Sequence, residues 1–263
     1  MREFAAESGS ETIDVAALAE RFTRDGYVLL PGVVDAARVE AMRTTLDALR
    51  AQIGSPPVYS REPVRTIPKT EISSTGLVFF ELLGWAPHLA PMLLDPAPLA
   101  VVRAILGDDA RMELVGAVMT DETRAFFEWH NHVGGPDDEQ VRLRGGNGPS
   151  ARRPQRLSYL VYLDDATDTN GPMLVLPGRP TDPTAPPFPA DQAHWPGEVA
   201  VTFAAGSVLL IDETTWHAVP QRHDPGPRRW VGAYFAAGHL PHSEMVDGSL
   251  AAIDDPLVRS VVR

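Results

Sequence analysis

The second half of this chain is a series of short apolar segments separated by turn-forming residues. Seven segments rich in Val, Leu, Tyr and Phe stand between glycine, proline or aspartate turns. Apolar runs this short, with β-branched and aromatic residues, predict strands. Seven or eight such strands are typical of an antiparallel sandwich or jelly roll. The predicted strands are residues 112–120, 126–133, 157–163, 172–176, 199–203, 207–211 and 230–235.

The first half of the chain predicts helices. Apolar residues recur at helical spacing over residues 14–24. A second helix is expected to begin near Asp35, whose carboxylate can cap free amides, and to break at Gly54. The other predicted elements are a strand at residues 27–31 and helical segments at residues 77–83, 89–94 and 99–106.

The two halves are expected to form one domain over residues 1–263. Residues 1–110 then form a mainly helical layer, residues 111–240 form the β core, and residues 241–263 form a C-terminal tail. Two connections are too long and irregular for the sheets, and we expect them to be lid loops over the core. They are residues 134–154, rich in glycine and arginine, and residues 178–196, with six prolines.

Composition excludes several classes of protein. The absence of cysteine removes disulfide frameworks, zinc-thiolate sites, iron-sulfur clusters and thiol nucleophiles. A net charge of -12 would repel a phosphate backbone, so we expect no nucleic-acid partner and favour a neutral or cationic small molecule. Because no apolar run reaches the roughly 18 residues of a membrane helix and the N-terminus is acidic and polar, we expect a cytoplasmic protein without a membrane partner.

Three of the eight histidines stand in a pattern that would bring their side chains together. His130 and His132 are two residues apart in a predicted strand, so their side chains point to the same face. His217 follows the strand predicted at residues 207–211 and could approach that pair from another strand. Three nitrogen donors on one face suit Fe(II) with open coordination positions. Ordinary packing or surface histidines are the alternative interpretation.

Arg228 and Arg229 stand at the start of the last predicted strand. A guanidinium that points into a core needs a carboxylate to offset its lost hydration, so these residues indicate an acidic cosubstrate. The alternative is that the arginines lie on the outer face. Since adjacent strand residues point to opposite faces, one of the two is expected to do so.

Three segments resemble the phytanoyl-CoA dioxygenase family of Fe(II)/2-oxoglutarate-dependent oxygenases. They are FTRDGYVLLPGVV at residues 22–34, YLDDATDTNGPMLVLPG at residues 162–178, and GSVLLID at residues 206–212 with the later Trp216-His217 and Arg228-Arg229. The resemblance spans about residues 15–235. It implies a mainly β protein with a helical flank, in which a double-stranded β-helix (a jelly-roll, cupin-like fold) packs against N-terminal helices. It also implies Fe(II), 2-oxoglutarate and O2 as cofactors.

The same resemblance assigns roles to individual residues. It makes His130 and His217 catalytic iron ligands and lets Arg228 hold the distal carboxylate of 2-oxoglutarate, with Arg229 beside it in the cosubstrate site. The implied reaction is hydroxylation or oxidative C–O ring closure on a sugar, an aminocyclitol or an oligosaccharide, as in the biosynthesis of bacterial antibiotics. Two alternatives are a non-catalytic jelly roll that binds a carbohydrate or another ligand, and a 2-oxoglutarate-dependent halogenase.

One position departs from the pattern of that family, which has His-x-Asp where this chain has His130-Asn131-His132. Three interpretations compete: His132 itself binds iron, an acid of the first lid loop replaces it, or the position binds chloride as in halogenating relatives. An imidazole in place of a carboxylate removes one negative charge, so it should weaken Fe(II) retention and make the ferric state harder to reach. Because the histidine side chain would occupy the space that chloride needs, halogenation is disfavoured. The acids of the loop are Asp137, Asp138 and Glu139.

Aromatic side chains are the remaining candidates for contact with a substrate. Four tryptophans could stack on the face of a sugar, although core packing is expected for at least two of them. These four are Trp129, Trp195, Trp216 and Trp230.

Overall fold

Eleven strands in two antiparallel sheets make up the centre of the described structure, a computed structural model that covers residues 13–53, 59, 62–65, 67–132, 153–178, 180, 183–243 and 246–262. This arrangement, with helices on one side, confirms the predicted fold. The strands are β1 (Tyr27–Leu30), β2 (Thr70–Ser73), β3 (Gly76–Phe79), β4 (Arg111–Thr120), β5 (Phe127–His130), β6 (Arg156–Tyr162), β7 (Met173–Val175), β8 (Val199–Val201), β9 (Val208–Asp212), β10 (His217–Val219) and β11 (Arg228–Ala236).

The larger sheet has seven strands in the order β1-β9-β6-β11-β4-β3-β2, and the smaller has four in the order β5-β10-β7-β8. Strands far apart in the sequence are neighbours in both sheets. In the smaller sheet, β10 lies between β5 and β7, so that His217 is directly opposite both His130 and Val175. The order of strands therefore brings three separate stretches of the chain to one place.

The two faces of the larger sheet bury different partners. On β6, Leu160 and Tyr162 face the smaller sheet and pack against β7 and β8 residues such as Val175 and Val201. Tyr159 and Val161, which alternate with them, belong to the core between the larger sheet and the helices. Both faces of this strand are buried, which explains why its sequence is apolar almost throughout.

The helices cover the outer face of the larger sheet. In α2, Val39, Met42 and Leu46 recur at three or four residues, form one apolar stripe and are buried. Asp14 caps α1 by accepting a hydrogen bond from the amide of Ala17 at 3.0 Å. The helices are α1 (Val15–Asp25), α2 (Ala36–Ile53), α3 (Leu82–Trp85), α4 (Ala90–Leu93), α5 (Pro96–Leu106) and α6 (Pro256–Arg259), with 3-10 turns at Pro87–Leu89 and Gly248–Ala252.

Two local predictions differ from the structure. The helical segment predicted at residues 77–83 is wrong at its start, because Gly76–Phe79 is strand β3. Leu77 and Phe79 face the helices while Val78 lies on the other face and is also buried, so the segment lacks the polar alternation of a half-exposed strand. The segment at residues 126–133 is a strand only from Phe127 to His130.

In the described part of the chain, no single helix combines the length and apolar character of a membrane span. The segments Pro87–Leu93 and Pro96–Leu106 pass that test only as a pair, with a bend of 77° between them.

Candidate metal and cosubstrate site

Three histidines meet between the two sheets. One ring nitrogen from each of His130, His132 and His217 lies within 4.8 Å of the other two. The ring centroids of His130 and His217 are 4.1 Å apart, and those of His132 and His217 are 5.1 Å apart. Among the described residues, this is the only group of at least three His, Asp or Glu side chains with ligand atoms this close together.

Strand pairing positions two of these side chains and a loop contact positions the third. His130 and His217 are partners in the register of β5 and β10, and they share the face that carries Val175 toward the interior. His132 lies two residues beyond the end of β5, where its backbone amide donates to the carbonyl of Glu213 at 2.8 Å. The chain thus stays beside its partner strand, and all three imidazoles stay together.

Backbone carbonyls fix the orientation of two imidazoles. Nδ1 of His130 is 2.7 Å from the carbonyl oxygen of Glu128, and Nδ1 of His217 is 2.9 Å from that of Thr215. A carbonyl oxygen only accepts, so each Nδ1 carries the proton and donates it. The Nε2 atoms of both rings then keep a free lone pair, as a metal ligand requires.

Burial keeps these imidazoles neutral. Desolvation lowers the pKa of His217 to about 4. Desolvation, followed by the proximity of His217, also lowers the pKa of His130 well below its ordinary value. At neutral pH both rings are therefore neutral bases, and protons do not compete with a metal cation for them.

Arg228 opens β11 on the interior face, opposite Thr120 of β4. Its guanidinium carbon lies 5.3 Å from the centroid of the Tyr162 ring, and its Nε and Nη2 atoms are buried without a hydrogen-bond partner. Desolvation lowers the pKa of this arginine. Such unpartnered donors on a buried cation fit a carboxylate ligand.

Arg229 lies on the opposite face of β11, toward the helices. Its guanidinium donates to both carboxylate oxygens of Asp164 at 2.8 and 3.0 Å and to Asp47 of α2 at 2.6 Å. Arg229, which the resemblance placed beside Arg228 in the cosubstrate site, thus lies on the other face of the strand with acidic partners of its own. Adjacent strand residues point to opposite faces, and the outward one already has its carboxylates.

Arg124 is another buried arginine with unpartnered donors, and the sequence did not predict it. It follows β4 in a turn closed by its amide and the carbonyl of Asp121 at 3.2 Å. Its Nε and Nη1 atoms are buried without a partner, and its guanidinium carbon lies 5.8 Å from the Phe127 ring centroid. Desolvation and then the charge of Arg228 lower its pKa to about 9. A lone arginine in a loop carries no sequence signal that separates it from a surface residue.

Most of the tryptophans considered above pack away from the histidines. Trp129 stacks on Trp195 with ring centroids 4.3 Å apart, and Trp195 in turn contacts Trp216 at 5.7 Å. These three rings form a cluster on the outer face of the smaller sheet, against which Phe188 and Ala190 also pack. Of the four candidates only Trp230 packs against the interior cluster, and it is half-buried.

The other histidines lie outside the metal-ligand cluster. Nε2 of His88 is 3.0 Å from the Thr45 hydroxyl, Nδ1 of His194 is 2.7 Å from Glu198, and His223 is exposed. The three acids weighed as replacement ligands, Asp137, Asp138 and Glu139, lie outside the described residues.

The fold and the histidine cluster define a class of protein: a jelly roll with a candidate metal centre between its sheets. The profile of the phytanoyl-CoA dioxygenase (PhyH) family matches residues 22–230, and the chain belongs to this family. It is therefore an Fe(II)- and 2-oxoglutarate-dependent dioxygenase, as the sequence predicted. Family membership decides against the alternative of a ligand-binding jelly roll without catalysis.

Individual relatives agree with this family. Ectoine dioxygenase from Sphingopyxis alaskensis is 27% identical over 236 residues, which cover 80% of this chain and 72% of that protein. The crystal structure of EctD from S. alaskensis with 2-oxoglutarate and 5-hydroxyectoine matches with a TM-score of 0.64 at 25% identity, over 91% of this chain and 83% of that one. HygX from Streptomyces hygroscopicus, with nickel and 2-oxoglutarate bound, matches in fold with a TM-score of 0.60 at 18% identity, over 88% and 89%.

Proposed function

We propose that this dioxygenase holds its iron with three neutral histidines and oxidises a C–H bond of a polar small molecule. In this proposal His130, His132 and His217 are the metal ligands, and Arg228 binds the distal carboxylate of 2-oxoglutarate. The observation that carries it is the convergence of three imidazole nitrogens within 4.8 Å. When bound with Fe(II), O2 would supply the oxidising equivalents, and 2-oxoglutarate would give up two electrons to it on conversion to succinate and carbon dioxide.

The chain's own residues prepare this site in two ways. The carbonyls of Glu128 and Thr215 hold their histidines in the tautomer that leaves Nε2 free. The interior wall of Leu160, Tyr162 and Val175 is buried and excludes water from one side of the histidine cluster. In a site of low polarity the charge of Arg228 interacts more strongly with a carboxylate than it would in water.

His132 supports hydroxylation or ring closure over halogenation. Its imidazole is part of the cluster, so the position that a small residue would leave open for chloride is filled by a side chain. Oxidation at carbon, with hydroxylation or C–O bond formation as its outcome, requires no such opening.

The substrate that we propose is a sugar, an aminocyclitol or an oligosaccharide of bacterial secondary metabolism. The half-buried ring of Trp230 lies on the interior face and over Gly232, so that a substrate could stack on it. The net charge of -12 favours neutral and cationic compounds over anions. HygX, whose fold this chain shares, has been crystallised with hygromycin B, which is consistent with this class.

A second candidate substrate is a small zwitterion such as ectoine, because the relatives at 25–27% identity are ectoine dioxygenases. Succinate release in the presence of ectoine and of a panel of aminocyclitols separates the two candidates. We expect turnover with an aminocyclitol; turnover with ectoine alone would contradict the proposed substrate class without affecting the proposed site.

Anaerobic titration tests the proposed site directly. Addition of 2-oxoglutarate to the Fe(II) protein should produce a metal-to-ligand charge-transfer band in the visible region. Arg228→Ala should weaken 2-oxoglutarate binding by about tenfold or more, because it removes a charged donor to the carboxylate. A wild-type protein without the band would overturn the proposal, and unchanged affinity in Arg228→Ala would overturn the role of that residue.

A further inference from the structure

Arg124, like Arg228, is a buried cation with two guanidinium nitrogens that have no hydrogen-bond partner in the described structure. Its Nε and Nη1 atoms are buried without a hydrogen bond, and only its Nη2 atom has an acceptor, the carbonyl of Pro220 at 3.5 Å. The residue is 4% exposed. Lost hydration on this scale is unfavourable for a cation unless an anion replaces the water.

Arg228 lies close enough to Arg124 for the two positive charges to interact. Strand β4 ends at Thr120, directly opposite Arg228, and Arg124 follows four residues later in the turn that its amide closes with the carbonyl of Asp121. The charge of Arg228 acts on Arg124, and both arginines act on Tyr162. Arg228 lies over the Tyr162 ring at 5.3 Å and Arg124 over the Phe127 ring at 5.8 Å, each with two unpartnered buried nitrogens, and their mutual repulsion adds to the need for an anion.

The acid nearest to Arg124 in the chain is already occupied. One carboxylate oxygen of Asp121 accepts from Arg50 at 3.0 Å and from the Tyr59 hydroxyl at 3.3 Å, and the other accepts from Thr123. Asp121 therefore holds the turn against α2 and does not neutralise Arg124. Asp164, whose charge acts on Arg228, is bound by Arg229 on the other face.

We propose that Arg124 is a second cosubstrate-binding residue, which together with Arg228 takes the distal carboxylate of 2-oxoglutarate between two guanidinium groups. This inference rests on the proposed role of Arg228. A carboxylate has two oxygens with about four lone-pair positions, enough to accept from both arginines at once. An acidic group of the substrate has the same chemistry and is the alternative source of the anion.

A pair of 2-oxo acids that differ only in the distal carboxylate tests the inference. 2-Oxoglutarate and 2-oxopentanoate have the same chain length and the same chelating end, and only the former carries the second carboxylate. In anaerobic titrations of the Fe(II) enzyme, Arg124→Gln should weaken 2-oxoglutarate binding about tenfold to hundredfold, as expected for loss of a charged hydrogen bond. Binding of 2-oxopentanoate, followed by calorimetry, should change by less than about twofold.

Arg222→Gln is the matched control. Arg222 also acts on Arg228 electrostatically, but it is less buried and its guanidinium donates to the carbonyls of Asp224 and Pro227. This substitution removes one positive charge from the same region without removing an unpartnered donor. It should leave the affinity for 2-oxoglutarate within about threefold of wild type, since a half-exposed charge is screened.

Thermal unfolding gives a readout that a purely structural arginine would not give. Without ligand, Arg124→Gln should unfold at a temperature equal to or above that of the wild type, because it removes an unpaired buried charge. With 2-oxoglutarate, its stabilisation should be smaller than that of the wild type. A lower midpoint without ligand, together with unchanged stabilisation by 2-oxoglutarate, would show that Arg124 only supports the fold and would overturn the inference.

The remaining outcomes each have one meaning. If Arg124→Gln bound 2-oxoglutarate with the affinity of the wild type, this inference would be overturned and the proposed function would stand. Equal weakening of both oxo acids would mean a general disturbance of the site and would also overturn it. If only the affinity for an acidic substrate fell, the anion would come from the substrate. A wild-type enzyme that binds neither oxo acid would overturn the proposed function together with the inference.

Discussion

His132 is the residue at which this chain differs from the family pattern, and its side chain decides the charge of the proposed metal site. Three histidines offer neutral ligands only, whereas two histidines and an aspartate would contribute one negative charge. A cation is held less firmly by the neutral set, and its oxidised state, which carries more charge, is less stabilised.

Replacements of His132 test this assignment. His132→Ala should lose iron affinity by at least about tenfold, in the range typical of residues that support a metal site. His132→Asp should retain iron and lower the Fe(III)/Fe(II) potential, because the added negative charge favours the ferric ion. Metal content after dialysis and an electrochemical titration measure the two effects.

His223→Ala is the control for these variants, since that histidine is exposed and lies outside the cluster. It should have the iron content of the wild type. Undiminished iron in His132→Ala would move the third ligand to another residue, and the acids at positions 137–139 would then be tested in the same way.

At the scale of elements, a buried ionic network joins α2 to the end of β6 and the start of β11. Arg229 is 7% exposed and donates to both carboxylate oxygens of Asp164, while Asp47 within α2 supplies a third acceptor oxygen. The network lies directly behind Arg228, so it fixes the strand that carries the proposed cosubstrate residue.

Loss of Arg229 should therefore cost stability more than ligand affinity. Arg229→Gln should lower the free energy of unfolding by about 2 kcal/mol, because it removes the charged donors to Asp164 and leaves that carboxylate only the longer contact to Arg43 at 3.4 Å. Asp47→Asn should cost less than about 1 kcal/mol, since the Asp47 side chain is 55% exposed. Chemical denaturation of both variants measures the difference. A drop in 2-oxoglutarate affinity without a loss of stability in Arg229→Gln would contradict this structural role.

Gly26, which ends α1, connects the first helix to the metal site. Its φ is +82°, and a Cβ atom there would lie 2.2 Å from the hydroxyl oxygen of Thr215. The carbonyl of Thr215 in turn orients His217. Helix α1, which is far from His217 in the sequence, thus ends beside the residue whose carbonyl orients that imidazole.

Gly26→Ala should consequently disturb both stability and metal binding. The left-handed conformation costs about 1–2 kcal/mol for alanine, and the clash with Thr215 adds to it. Thr215→Ala in the same protein removes the clash but keeps the backbone strain, so the double variant should recover iron affinity more than stability. Iron content and thermal unfolding of the single and double variants check this, and additive effects on iron affinity would contradict the coupling.

At the scale of the whole molecule, ligand binding and folding are linked, because the site is assembled from strands far apart in the sequence. Fe(II) and 2-oxoglutarate bind only when β5, β10 and β11 are in place. Each ligand at about one hundred times its dissociation constant should stabilise the fold by about 2.7 kcal/mol.

Thermal unfolding with one ligand and then both measures this linkage. We expect stepwise increases of roughly 5–10 °C for a chain of this size. In Arg228→Gln the increment from the metal should remain and that from 2-oxoglutarate should shrink. A 2-oxoglutarate increment of equal size in this variant would mean that the cosubstrate binds elsewhere.

Short apolar runs between turn residues were sufficient to predict most strands of the second half, and the spacing of His130 and His132 predicted that they lie together, although His132 is beyond the end of β5. The patterns failed at Gly76–Phe79, a short apolar strand that is followed closely by helix α3. They also missed strand His217–Val219, which is only three residues long.

The sequence by itself determined the class of fold, the helical flank, the nitrogen donors and the family to which the chain belongs. Only the tertiary structure decided that His217 lies opposite His130, that Arg228 points inward while Arg229 pairs with acids, and that Arg124 is buried with two unpartnered guanidinium nitrogens. The reason is physical: the direction of a side chain follows from local backbone geometry, whereas strand order and register follow from the packing of segments that are distant in the chain.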